Sequence, residues 1–201
     1  MLRLNKVVVI AVCVVSLVGL SGCDMIMGIF RAQKAAVQWD GPIKEIAYEK
    51  IEKDGRVFDI EIHSRVDAPI DKVWEAMKKP ELLADNSDMY KLSRLIKHEG
   101  NKKELEVHVL ALDNLQTFTI ELTFDDENKT IVMKTLESSI VDIQASYELT
   151  PSPDGTKTLY VYKSTQTDKI ILPISTDVQR SAIKESFVNQ VKAMKVQMGM
   201  G

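Results

Sequence analysis

Phe58, Ile60, Ile62 and Val66 alternate with Asp59, Glu61, His63 and Arg65, the two-residue period of a half-buried strand. Directly after it the period lengthens. Ile70, Val73, Trp74 and Met77 recur at helical spacing behind Asp67-Ala68-Pro69, where Pro69 suits a first turn and Asp71 lies near the unpaired amides. Lys78 and Lys79 suit the negative end of that helix, and Pro80 stops it; Glu81–Ala84 reads as a second short helix before the Asp85–Asp88 loop.

Six strand-like segments follow, separated by turn chemistry at nearly regular steps: Glu99-Gly100-Asn101, Asp113-Asn114, Asp125 to Asn128, Ser138-Ser139, and Pro151 to Gly155. That rhythm predicts an antiparallel meander. Leu105/Val107/Val109, Phe118/Ile120/Leu122/Phe124 and Val141/Ile143/Ala145/Tyr147/Leu149 each keep to one face. The segment Lys157–Thr165 stays ambiguous, because Leu159/Val161 and Tyr160/Tyr162 fall in opposite phases. A long helix closes the chain after Pro173. Thr176-x-x-Gln179 fits a capping box, and Val178, Ile183, Phe187, Val191, Met194 and Met198 form an apolar stripe.

The first 23 residues follow a different logic. Arg3 and Lys6 precede 14 apolar or small residues, Val7 to Leu20, which span about 21 Å as a helix and fall short of the ~30 Å hydrocarbon core. This is the build of a secretory signal. Leu20-Ser21-Gly22-Cys23 resembles the lipobox of bacterial lipoproteins. The resemblance implies cleavage before Cys23, a diacylglyceryl group on its sulfur and acylation of its amine, and several chains anchor far more firmly than one. Asp24 resembles the inner-membrane retention signal of enterobacterial lipoproteins, so the expected location is the cell envelope, facing the periplasm.

Residues 24–45 lack a clear period and read as a tether, although Ile43, Ile46, Ala47 and Ile51 would share one side of a short helix over 43–53. The expected organisation is therefore a signal over 1–22, a lipidated cysteine and tether over 23–45, and a domain over 46–201. Removing residues 1–22 takes away Arg3 and Lys6 and no acid, leaving 24 basic against 29 acidic residues, a charge of −5. Acidity of that kind argues against nucleic acid and against electrostatic attachment to anionic lipid. With Cys13 and Cys23 the only cysteines, a disulfide scaffold is excluded.

The order of elements, together with Ala68-Pro69 followed by Val73-Trp74, resembles the START-like helix-grip superfamily, which includes pollen-allergen-like proteins, polyketide cyclases and coenzyme-Q-binding proteins. The resemblance covers roughly Val57 to Met198. It implies an α+β fold with a seven-stranded curved antiparallel sheet wrapped around the C-terminal helix and two short helices after the first strand. It also implies a cavity that binds a hydrophobic small molecule or lipid.

On the phase reading, the cavity candidates are Val107, Val109, Phe118, Ile120, Leu122, Ile143, Ala145, Tyr147, Ile183, Phe187 and Met194. Tyr147 is the one expected to bring a polar tip inside, and Met194, Met198 and Met200 could form an adaptable lid, with Met200 favoured as a frayed end. Ala145→Trp is expected to block the pocket without disturbing the fold. His63 and His108 fall on the polar phase and His98 beside a turn, so no nucleophile–base pair, metal set or cofactor motif emerges. Two other functions stay open: an envelope protein-interaction module with a filled core, and a cyclase- or hydrolase-like enzyme.

Overall fold

The computed structural model describes residues 39–40, 44–111, 114–171 and 173–200. The expected signal sequence, Cys23, Asp24 and most of the expected tether lie outside the described residues. Eight antiparallel strands form one sheet: β1 (Tyr48–Asp54), β2 (Val57–Val66), β3 (Tyr90–Glu99), β4 (Lys102–Ala111), β5 (Asn114–Asp125), β6 (Thr130–Ser138), β7 (Val141–Pro151) and β8 (Thr158–Asp168). Their order across the sheet is β1-β2-β8-β7-β6-β5-β4-β3. One crossover, from β2 to β3, carries helix α1 (Ile70–Met77) and two turns of 3₁₀ helix, Pro80–Leu82 and Ala84–Asn86. Helix α2 (Thr176–Gln197) follows β8. This is the helix-grip α+β architecture expected from the sequence, with one strand more than expected.

The extra strand is β1, where helical spacing had suggested a short helix. Asp54↔Val57 closes a two-residue hairpin loop, and Gly55 stands at φ 57°, a left-handed conformation that a glycine adopts freely. Glu49, Lys50, Glu52 and Lys53 make β1 a charged outer strand, which protects the sheet edge from pairing with another chain. The single helix expected over Glu81–Ala84 is instead the pair of 3₁₀ turns, entered through Pro80.

Helix α1 is held by its tryptophan. Trp74 is buried, and its indole N–H donates to Asp126 Oδ1 at 2.7 Å, from the β5–β6 turn. That bond, with Lys78 adding to it, lowers the Asp126 carboxyl pKa below its ordinary value. Asp126 thus does more than fill a hairpin turn: it anchors the helix to the far side of the sheet. Before β1, the Trp39 carbonyl accepts from Arg65 Nη1 at 2.9 Å and from Lys157 Nζ at 3.2 Å, on the outer face of β2 and β8. Trp39, which falls within the expected tether, thus contacts the sheet.

The cap of α2 also differs from the sequence reading. Ser175 is the N-cap, its hydroxyl accepting from the Val178 amide, whereas the Gln179 carbonyl oxygen accepts from Lys53 Nζ at 2.6 Å. A side chain bonded to β1 is not available to close a box at the helix start. Gln179 is buried and Val178 is exposed, so the inner stripe runs through 179, 183 and 187 rather than from Val178. At the other end Gly199, at φ 73°, lets the Met200 amide reach the Lys195 carbonyl at 2.9 Å and the Gly199 amide reach Val196 at 2.8 Å. This is a Schellman closure. Met200 packs against the core in place of the frayed end expected.

Ser175→Ala should lower stability by about 1 kcal/mol in urea unfolding, the usual cost of a lost serine cap. Thr176→Ala should change it by no more than a few tenths of that amount; the reverse ranking would return the cap to Thr176.

Candidate functional site

A concave eight-stranded sheet offers more inner surface than one helix can cover, and the remainder is a cavity of about 480 Å³. Phe187 sits at the middle of α2 and wedges against the sheet, its ring centroid 5.6 Å from that of Tyr160 and 6.1 Å from that of Tyr162. Tyr147 joins the group across the β7–β8 ladder, where it stands opposite Tyr162 with ring centroids 5.2 Å apart. Val107, Val109, Phe118, Ile120, Leu122, Ile143, Tyr147, Ile183, Phe187 and Met194 all line the cavity.

Ala145 does not. It is buried in the core next to the cavity, opposite Met133 on β6 and Ser164 on β8, and its short side chain stops beneath larger neighbours. A tryptophan there would overpack the core instead of plugging the cavity. Ala182, on the inner side of α2, is a lining residue with space in front of it.

The phase left open over Lys157–Thr165 resolves with both sides filled. Tyr160 and Tyr162 face the cavity, while Leu159 and Val161 are buried on the opposite face, the face on which Arg65 and Lys157 hold Trp39. A strand buried on both faces carries no alternation to read. The hairpin register could have supplied the answer: with Pro151 opposite Thr158, Tyr147 must stand opposite Tyr162 and share its face.

The sequence reading missed most of the polar lining. Tyr90, Tyr160, Tyr162, Ser93, Gln166, Ser186 and Gln190 accompany Tyr147 around the apolar wall. Loss of hydration is the main force on the four tyrosines. It pushes the Tyr90 hydroxyl pKa up to about 12, raises Tyr147 and Tyr160 well above the ordinary phenol value, and raises Tyr162 in the same direction. Partial compensation comes from Ser186 at Tyr90, Gln190 at Tyr147, and Ser164 and Gln166 at Tyr162. Gln166 Nε2 donates to the Tyr162 oxygen at 3.3 Å. The Tyr147 hydroxyl makes a 3.7 Å contact with Met133 Sδ, a weak acceptor.

The charged residues near one end of the cavity are committed to each other. Lys53 Nζ lies 3.5 Å from Asp168 Oδ2 and 4.4 Å above the Phe58 ring, in addition to its bond to Gln179. Asp168 and Gln179 line the cavity, so its carboxylate arrives already neutralised. The histidines lie outside the lining: His63 and His108 each bond a glutamate two residues earlier, at 2.7 and 2.8 Å, and His98 the Gly100 carbonyl at 3.1 Å. Among the described residues no cluster of three His, Cys, Asp or Glu side chains has the arrangement of a metal site.

Chemically, the arrangement is an apolar chamber with neutral hydroxyl and amide groups placed along it and two charged lining residues, the paired Asp168 and the exposed Lys79. Solved structures show the same fold. A Streptomyces aromatase/cyclase is 17% identical with a TM-score of 0.64, covering 71% of this chain and 94% of that one. A START superfamily protein from Mycobacterium smegmatis is 11% identical, with a TM-score of 0.59 and coverage of 72% and 98%. Ara h 8.0201 is 14% identical, with a TM-score of 0.57 and coverage of 72% and 99%. No protein-family model matches the sequence, and no curated protein matches it. The chain has the START-like helix-grip fold.

The buried tyrosines make a prediction for alkaline pH. Their raised folded values mean that stability is whole below the unfolded phenol value near 10, and is lost as pH rises from there through about 12. Absorbance titration should show Tyr90, Tyr147, Tyr160 and Tyr162 ionising together with unfolding. Their gradual ionisation in a protein that keeps its folded circular dichroism would show them to be solvated.

Proposed function

We propose that this chain is a membrane-tethered lipoprotein of the bacterial envelope, facing the periplasm, whose helix-grip domain binds a hydrophobic small molecule or lipid between the sheet and α2. The observation that carries the reading is the cavity of about 480 Å³, within the range of ligand sites, with apolar walls and four tyrosines in its lining. An interaction module with a filled core has no use for such a space.

The polar groups narrow the ligand class. A fatty acid or phospholipid brings a charge that must be paired when it leaves water. The one cation among the lining residues, Lys79, is exposed to water, Lys53 is already bound to Asp168 and Gln179, and the tyrosines remain neutral hydrogen-bond donors. The chemistry therefore favours an uncharged molecule with one or a few oxygen acceptors and a long or ring-shaped apolar body. Among the lipid, quinone and isoprenoid classes, a quinone or an isoprenoid alcohol fits this description best. The fold resemblance to a protein named as an aromatase/cyclase is compatible with ring-shaped ligands, and the proposal is a carrier without a catalytic step.

Tethering rests on Leu20 to Cys23 and the apolar run before them. No helix among the described residues is long and apolar enough to cross a membrane.

Two experiments test the two halves. Titration of the full chain in detergent with 1-aminoanthracene, a neutral fluorescent probe, should show saturable binding of one probe per chain, displaced by a quinone. Ala182→Trp should weaken that binding at least about tenfold, or about 1.4 kcal/mol, with unchanged unfolding. Full affinity in this variant would place the probe outside the cavity. Metabolic labelling with a tritiated fatty acid should mark the wild-type chain and not Cys23→Ser; equal labelling of both would end the lipoprotein reading.

A further inference from the structure

The cavity lining loses burial in two places, beside the first 3₁₀ turn, where Lys79 is exposed and Met77, Pro80 and Leu83 are half-buried, and at one end of β4, β5 and β7. Along β4 the inward residues pass from buried Leu105 and Val107 to half-buried Val109 and Ala111. Along β5 they pass from buried Leu122 through half-buried Ile120 and Phe118 to exposed Asn114. Along β7, half-buried Ile143 and Val141 follow buried Tyr147 in the same direction. These series run the same way, because Ala111 pairs with Asn114, Phe118 with Ser138, and Val141 with Asp168. The apolar mouth therefore lies where the ends of β4 and β5, the β6–β7 hairpin and the β8–α2 loop meet.

Large apolar side chains crowd this mouth on the solvent side. Leu110 and Leu115 stand opposite one another at the end of the β4–β5 ladder, and Leu115 is 54% exposed. Ile170 and Ile171 project from the β8–α2 loop, Ile171 with 80% of its surface in water, and Val178 is exposed in the first turn of α2. Further along the loop Pro173 and Ile174 line the cavity itself, so apolar residues of one loop serve both the outer rim and the inner wall. Such a patch marks an interaction site. Charges nearby cancel: Lys169 pairs with Asp142 at 2.8 Å and Arg180 with Asp177 at 3.2 Å. The rim thus has no positive field that would select anionic headgroups.

We propose that this rim is a membrane-docking surface, seated at the boundary between headgroups and acyl chains of a lipid bilayer, so that the cavity opens directly into the membrane. The proposal rests on the carrier reading and assigns the site its partner. A second copy of the chain would bury the rim but also seal the mouth, whereas a bilayer buries it and offers the cargo a path that avoids water. Attachment does not prevent this. Trp39 is held near the opposite end of the sheet, beside Arg65 and Lys157. The sixteen residues from Cys23 to Trp39 could extend to about 55 Å, more than the roughly 36 Å length of an eleven-residue strand.

The test uses the full chain in phosphatidylcholine vesicles, with Ile171→Trp as a reporter against the native background of Trp39 and Trp74. The reporter emission should be blue-shifted and quenched by brominated acyl chains several-fold more than that of the native protein, equally at low and high salt. A solvent-exposed spectrum unaffected by brominated lipid would overturn the proposal. So would a blue shift without lipid quenching accompanied by cross-linked pairs of chains, since that places a second copy on the rim. Ile171→Asp should keep its affinity for 1-aminoanthracene in detergent and lose about tenfold in the rate at which the probe passes between vesicles. Lipid quenching in a chain that binds no probe would remove the carrier reading and leave the docking surface; probe binding without quenching would remove the docking surface alone.

Discussion

Phe187 governs the shape of the interior. Its ring rests on Tyr160 and Tyr162, which pins the middle of α2 to the centre of the sheet. Around that contact the inner residues of β4 and β5 face the cavity, with Pro80, Leu83 and the inner side of α2 across it. Truncating Phe187 would release the helix from the sheet, at the 3–5 kcal/mol usual for a large buried aromatic. The other anchors work with it: Trp74 ties α1 to Asp126, and Lys53 ties β1 to Asp168 at the end of β8 and to Gln179 on α2. The hollow is a consequence of the fold geometry and does not depend on any missing residue.

Placing four tyrosines around such a hollow has an energetic logic. A phenol brings a large apolar ring and one hydrogen-bonding group, so it can build wall and recognise a ligand with one side chain. Burial makes ionisation costlier, which keeps the hydroxyls neutral and rejects a charged ligand group that has no counterion. The Lys53–Asp168 pair acts in the same sense, since neither partner offers a free charge to the chamber.

The parts read most readily from sequence were those with a single buried face. β2, β5 and β7 alternate because their inner side is the more deeply packed, with Arg65 the buried exception on the outer face of β2, and α1 announces itself through Pro69, Val73 and Trp74. Ten of the eleven candidate side chains line the cavity for that reason. The misread parts have physical causes. β1 carries one large aliphatic residue, Ile51, in a charged strand, so pairing with β2 and the turn at Gly55 decide its structure while its own periodicity says little. β8 is packed on both faces. Ala145 follows the right phase but is too short to reach the space its neighbours define. Tyr90, Ser186 and Gln190 were hidden because a polar atom in a cavity wall looks, in sequence, like an interruption of the apolar stripe.

A hollow grip and exposed aliphatic residues at its mouth are the two features on which the proposed carrier role rests. The most direct test is native mass spectrometry of the full chain released in mild detergent from its own membranes. The account predicts one uncharged, solvent-extractable molecule per chain, reduced or absent in Ala182→Trp. A bare mass in the native protein, with no uptake of added quinone or isoprenoid alcohol, would contradict it.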